Sequence, residues 1–205
     1  MIYPKHSKLY KLFFDFYTSI IIKSDFKSFH IETEYEENYS EKPLLVIANH
    51  FSWWDGFLHY HLNNVHFKKK YHVMMLEEQL QKRMFLTRLG IFSVKKGSRD
   101  ALKSLEFANQ LLKQCENMLL IFPQGKIESQ HKHVFQFEGG IEKLVANNPT
   151  IKVVFAVSLI DYFSERKPEA RFYLKTISLR SGKTIQEEFN NFYKESLEKQ
   201  YLLAN

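Results

Sequence analysis

The stretch PLLVIANHFSWWDGF (Pro43–Phe57) decides how the rest of the chain is read. Leu44 to Ala48 is a continuous apolar run, which suits an interior strand covered by helices on both faces. The run leads to His50, and past two tryptophans Asp55 follows five positions later. From there the pattern predicts a helix, roughly Trp54 to Leu62. A histidine at a strand tip beside an acid is open to two readings. It is a core-edge imidazole satisfied by its neighbour, the commoner outcome for so short a signal. Or it is a proton acceptor whose tautomer the acid fixes. Trp53 and Trp54, taken singly, read as packing.

Outward from this stretch, short apolar strands alternate with amphipathic helices. FKSFHIETEY, KKKYHVMML, IFSV, MLLIFP, IKVVFAVSLI and ARFYLKTISL read as strands. EEQLQKRMFLTRL, Arg99 to Cys115, GIEKLVANN and TIQEEFNNFYKESLEKQYLL read as helices. In the Arg99–Cys115 helix, Leu102, Leu105, Ala108, Leu112 and Cys115 share one side, which places the cysteine in the core. The alternation predicts an α/β fold, a sheet sandwiched between helices. No repeat, low-complexity tract or linker divides it, so residues 1–205 read as one domain.

At the N-terminus, KLYKLFFDFYTSIII is helical in pattern. Leu9, Leu12, Phe13, Phe16, Tyr17, Ile20 and Ile21 lie on one side, with Lys8, Lys11, Asp15 and Ser19 on the other. The plain reading packs that apolar side on the domain. The sharper one lays residues 1–24 in a bilayer interface, lysines toward lipid phosphates. No cleavage-site pattern follows the first residues, and no run reaches the ~18 apolar residues of a spanning helix. A soluble or peripheral protein is expected.

Composition narrows the partners. Charged residues make up 25% and apolar residues 44%, ordinary for a globular chain, but 19 Phe, 11 Tyr and 2 Trp are many aromatics. With 29 Lys and Arg against 23 Asp and Glu the net charge is +6, so anions are favoured guests. The lysines at 68–70 carry no interleaved stacking aromatics, so no nucleic-acid partner is expected and a solvated or lipid-facing patch is. The single cysteine forbids an intrachain disulfide. Of the nine histidines, His131 and His133 form an HxH in a polar loop and read as surface residues, so no metal is expected. No G-x-S-x-G elbow, Walker loop or dinucleotide fingerprint is present.

Open α/β sheets place ligands beyond the carboxyl ends of their strands. Three such ends carry chemistry: LLVIANH delivers His50, LGIFSVKKGSR delivers Lys95, Lys96 and Arg99, and LLIFPQGK delivers Gln124, Gly125 and Lys126. The cations suit a phosphate, and a glycine turn exposes amides for a phosphate or an oxyanion.

NHFSWWD (Asn49–Asp55) resembles the NHx4D block of the glycerolipid acyltransferase family, the lysophosphatidate and glycerol-phosphate acyltransferases. Further blocks of that family are echoed in order. Gly90, Val94 and Lys96 echo a Gly-x-x-x-Val-x-Arg strand, Phe122 to Gly125 a Phe-Pro-Glu-Gly block, and VVFAVSL (153–159) a closing hydrophobic strand. The resemblance implies a mixed, largely parallel central sheet flanked by helices. It implies that His50 activates an acceptor hydroxyl, that Asp55 orients it, and that Lys96, Gln124 and Gly125 grip the acceptor. Lys95, Arg99 and Lys126 join that substrate-binding set as neighbouring cations. The donor would be an acyl-CoA or an acyl carrier protein, with no other cofactor, and the acceptor a lipid at an anionic membrane surface, on the cytoplasmic inner face. The departures are Lys96 for arginine, Gln124 for glutamate, and Ile127 and Glu128 after the glycine turn. They leave a second expectation, a non-catalytic lipid-binding protein on the same scaffold.

Overall fold

The computed structural model describes residues 1–34, 38–95, 97, 100–177 and 184–203. The seven strands are β1 (Ser28–Thr33), β2 (Leu44–Ala48), β3 (Lys70–Leu76), β4 (Ile91–Val94), β5 (Asn117–Ile121), β6 (Lys152–Asp161) and β7 (Glu169–Ile177). They form one sheet in the order β1-β7-β6-β2-β5-β3-β4. β6, β2, β5, β3 and β4 run parallel, β7 is antiparallel to β6, and β1 pairs parallel with β7. The expected mixed, largely parallel sheet is therefore present, and β2 sits at its centre. Ile47 pairs with Ile121 on one side and with Phe155 on the other, so β2 and β5 end level. That register brings the residues following the two strands together at one edge.

Alternation along β2 explains why all five of its residues are buried. Leu44, Val46 and Ala48 join the core beneath α1 (Lys8–Asp25) and α2 (Asp55–Leu62). Leu45 and Ile47 face the core beneath α4 (Asp100–Leu111), α5 (Ile141–Ala146) and α6 (Ile185–Leu202). Each of the leucine, valine and isoleucine side chains so removed from water contributes about 1.5–3 kcal/mol. α6 starts on a capping box, Thr184 and Glu187 satisfying each other's backbone amides.

Several expectations from the sequence are corrected here. The segment from Glu77 to Leu89 is not one helix. It divides into α3 (Glu77–Gln81) and a 3-10 turn (Met84–Leu89), with Arg83 between them off helical angles at φ −139° and ψ 47°. Gly90 ends that turn at φ +100°, and a Cβ there would sit 2.0 Å from the Tyr71 carbonyl, so only glycine fits. Cys115 is exposed, not core. α4 stops at Leu111 and the chain turns, Asn117 N–H donating to the Gln114 carbonyl at 3.0 Å. Leu102, read on the inner side, is exposed too. Among the three lysines at 68–70, Lys69 is buried, its ammonium donating to the carbonyls of Ser40 and Lys42 at 3.0 Å and to that of Cys115. Its charge ties loops together and adds nothing to a surface patch.

The largest correction concerns α1. It packs through Phe14, Thr18 and Ile22. Leu9, Leu12, Phe13, Phe16 and Ile20 face solvent, Leu9 at 80% exposure and Phe16 at 68%. The apolar side that looked like a packing face points outward.

Candidate active site

His50 leaves the end of β2, and Asp55 opens α2. Imidazole Nδ1 and carboxylate Oδ2 are 2.6 Å apart. A carboxylate has only acceptors, so Nδ1 carries the proton and the lone pair is on Nε2. The same Oδ2 accepts backbone N–H bonds from Phe51 at 2.7 Å and Ser52 at 2.9 Å. Three donors converge on one buried oxygen, while the Asp55 side chain is fully buried and that of His50 is 26% exposed. The acid is fixed and the base is open to a ligand.

A second loop holds the His50 backbone from the other side. Gln124 Oε1 accepts the His50 N–H at 2.6 Å, and the Glu128 N–H donates to the His50 carbonyl at 2.9 Å. Gln124 Nε2 donates to Glu128 Oε2 at 3.1 Å, closing the ring of hydrogen bonds. The Phe122 ring lies against the imidazole, centroids 4.5 Å apart and planes 25° off parallel. Below, Asn49 clamps β2 to β6: its side-chain amide donates to the Ser158 carbonyl at 2.9 Å and accepts from the Ser158 N–H at 2.8 Å. Gln130 makes the same two-way bond with the backbone of Ile160, which anchors the loop after β5 to β6.

The imidazole opens onto a cleft of about 930 Å3 whose lining is mainly apolar. Its lining includes the polar side chains of Ser52, Gln79, Arg83, Lys126 and Glu138, besides His50. Its volume lies toward the upper end of the roughly 300–1,000 Å3 that ligand pockets span.

A family model described as Acyltransferase matches residues 30–158, more than half of the chain. The chain belongs to the acyltransferase family. The crystal structure of the 1-acyl-sn-glycerophosphate (LPA) acyltransferase PlsC from Thermotoga maritima shares the fold of this acyltransferase, with a TM-score of 0.53 and 14% identity. The likeness covers 94% of this chain and 79% of that one. Among curated protein sequences none matches.

Of the eight site residues read from the sequence, the acyltransferase brings five together. His50 and Asp55 form the pair, Gln124 holds its backbone, and Gly125 and Lys126 line the cleft. The Gly125 amide itself is engaged by the Phe122 carbonyl at 3.1 Å, closing a tight turn at φ +63°. Lys95 is exposed just past β4 and does not line the cleft. Lys96 and Arg99 lie outside the described residues. Sequence reasoning missed Glu128, whose carboxylate receives Lys132 at 2.6 Å and Lys126 at 3.4 Å. Hydrogen bonding to Lys132 above all holds the Glu128 carboxyl below its usual range. Its isolation among polar loop residues gave no signal. Arg83, held by Gln79, was missed because it read as mid-helix.

His59, one turn along α2, was also missed. Its Nδ1–H donates to the Asp55 carbonyl at 2.8 Å, and burial pushes its pKa down to about 4. Burial does the same to His72 on β3, again to about 4. Both rings are neutral in the fold and protonate readily once unfolded, near 6.5. Between these values the unfolded chain binds more protons, so stability rises with pH there. The melting temperature should therefore hold near neutrality and fall as pH drops from 6.5 toward 4. Thermal melts across that range check this, and a flat profile would contradict it.

Proposed function

We propose that the enzyme moves a fatty acyl group from an acyl thioester to a hydroxyl of a lysophospholipid-like acceptor at a membrane surface. The observation that carries this reading is the His50–Asp55 pair, 2.6 Å apart, at the edge of a large apolar cleft. A hydroxyl is a weak nucleophile until its proton leaves. In the proposed step His50 Nε2 takes that proton as the oxygen attacks the thioester carbonyl carbon. Asp55 stabilises the imidazolium that forms. Collapse of the tetrahedral intermediate breaks the carbon–sulfur bond, and the imidazolium returns its proton to the departing sulfur. An ester and a thiol result. Atoms, charge and electrons balance with no redox cofactor, and the acyl-CoA or acyl carrier protein is a co-substrate.

PlsC of Thermotoga maritima is a 1-acyl-sn-glycerophosphate acyltransferase, which supports lysophosphatidate as the first acceptor to try. Lys126 at the cleft rim suits its phosphate, with Lys96 and Arg99 proposed as further cations. Incubating purified protein with labelled acyl-CoA and lysophosphatidate, then separating lipids, tests the reading. A new diacyl product supports it. Acyl-CoA and lipid bound without turnover would favour the non-catalytic lipid-binding alternative.

No helix among the described residues is long and apolar enough to cross a membrane. The outward face of α1 supports peripheral docking: exposed Leu9, Leu12, Phe13, Phe16 and Ile20 offer an apolar stripe to lipid. The net charge of +6 favours an anionic leaflet, which we propose is the cytoplasmic one. Replacing Phe13 and Phe16 together by Asp should lower binding to phosphatidylglycerol vesicles about tenfold or more. The melting temperature should barely change, since both rings are exposed. Cosedimentation measures the effect, and undiminished binding would remove α1 as the docking element.

A further inference from the structure

Two separate sets of bonds hold His50. Asp55 fixes the ring through Nδ1. The loop after β5 fixes the main chain, Gln124 Oε1 accepting the His50 N–H at 2.6 Å and the Glu128 N–H donating to the His50 carbonyl at 2.9 Å. The first set decides how the imidazole turns. The second decides where it stands, and it depends on two residues of one loop.

Gln124 serves in this grip only one way round. It is buried, at 3% exposure, and the His50 N–H requires an acceptor, so Oε1 faces that N–H and Nε2 points away. A buried amide NH2 needs an acceptor in turn, and Glu128 Oε2 supplies it at 3.1 Å. The other carboxylate oxygen, Oε1, receives Lys132 at 2.6 Å and Lys126 at 3.4 Å. Glu128 thus answers an amide and two ammonium groups at once, which takes two acceptor atoms and no donor. An amide at position 128 has one acceptor oxygen. Turned to Gln124, it sets its NH2 against two ammonium groups; turned to the lysines, it sets NH2 against NH2.

The loop that carries this acid is anchored. Gln130 bonds both ways with the Ile160 backbone on β6, and the Tyr193 hydroxyl of α6 donates to the Gln130 carbonyl. The Glu138 N–H donates to the Pro123 carbonyl at 2.8 Å, closing the loop on itself. The Glu128 side chain is 10% exposed and is not among those lining the cleft, so its carboxylate serves the loop and not a ligand.

We propose that Glu128 is a positioning residue for His50, acting through the Gln124 amide, and that positions 124 and 128 together work with a single carboxylate. Which of the two positions carries the acid is interchangeable. An acid at 124 accepts the His50 N–H on one oxygen and an amide NH2 from 128 on the other, while the oxygen of that amide turns to Lys132. Two amides leave the ring of bonds one acceptor short. The inference rests on the acyl-transfer reading and adds to it a residue that never meets substrate.

The test compares Glu128→Gln with the transposed double variant Gln124→Glu/Glu128→Gln, both assayed with labelled acyl-CoA and lysophosphatidate. Glu128→Gln should lower kcat about tenfold, since a reacting group misplaced by about 1 Å costs up to ~10²-fold. The acceptor KM should not rise, because Lys126 keeps its place at the rim. The transposed variant should recover most of the lost kcat. A merely structural role predicts the reverse, because a second change in a buried ring of bonds adds damage. Native kcat in Glu128→Gln, a loss carried by KM alone, or a transposed variant no better than the single one overturns the proposal. Hydrogen exchange of the His50 amide reads the same grip without turnover. It should quicken about tenfold in Glu128→Gln and return toward the native rate on transposition. That pattern in a protein that makes no product supports the grip and refutes acyl transfer alone, and an unchanged rate overturns the proposal. Should Glu128→Gln fail to fold, Gln124→Met removes the acceptor of the His50 N–H and leaves Glu128 with its lysines. It must lower kcat, and native kcat there overturns the proposal.

Discussion

His50→Ala is expected to abolish acyl transfer while leaving the fold intact. The two halves of that statement have separate physical grounds. Removing a positioned base costs about 10²–10⁴-fold in steps where a hydroxyl must lose its proton as it attacks. Among the described lining residues no second histidine faces the cleft. His59, though close in sequence, is buried, and its pKa of about 4 makes it a weak base. The fold is spared because His50 contributes to the framework through its backbone. Its N–H meets Gln124 and its carbonyl meets the Glu128 amide, and alanine keeps both. Labelled-product assays together with a thermal melt check both halves. Full turnover in a folded variant would refute the assignment of the base. Loss of turnover with a large fall in melting temperature would show that the ring is structural.

Much of this was legible in the chain, for identifiable reasons. The β2 segment is buried on both faces, and that leaves a continuous apolar run that no amphipathic element imitates. The pair His50 and Asp55 was visible because both sit on one short connection, where sequence distance and spatial distance nearly coincide. The meeting of β2 and β5 was not legible, since strand order is set by long-range pairing that no local pattern records. Seen in the sheet, β5 runs next to β2, and so Gln124 reaches His50 across 74 positions.

What stayed hidden depended on context that residue types do not carry. The α1 stripe satisfied the rule for a packed helix, yet the smaller set Phe14, Thr18 and Ile22 faces the core. Periodicity tells that a helix has an apolar side; it does not tell whether protein or lipid covers it. The reading of Cys115 as core failed for a related reason, because helical spacing continued in the sequence past the point where the chain turned. Glu128 was invisible as a site residue since its role is made by a loop folding back on the His50 carbonyl. The carboxylate there gathers Lys126 and Lys132, so the loop carries less free positive charge than its sequence suggests.

Asp55→Asn is expected to leave the protein folded and to lower kcat about 10²–10⁴-fold with a much smaller change in acceptor KM. All three donors at this site, His50 Nδ1 and the amides of Phe51 and Ser52, converge on Oδ2. An asparagine that keeps its carbonyl oxygen there still accepts all three, so the tautomer of His50 and the turn into α2 survive. The opposite orientation would set an NH2 against three donors and is excluded. The change therefore removes the negative charge and little of the geometry. That charge is needed only when the imidazolium forms, in the transition state, and so the loss falls on kcat. Asp55 Oδ1 is buried without a hydrogen-bond partner, so the new amide there is unsatisfied, at a cost of about 1–3 kcal/mol in stability. Asp55→Ala separates the two contributions, because it strands the amides of Phe51 and Ser52 as well and should melt lower than Asp55→Asn. An Asn variant with native kcat would leave Asp55 only its part in the turn. A variant whose KM rises while kcat holds would assign it to substrate binding.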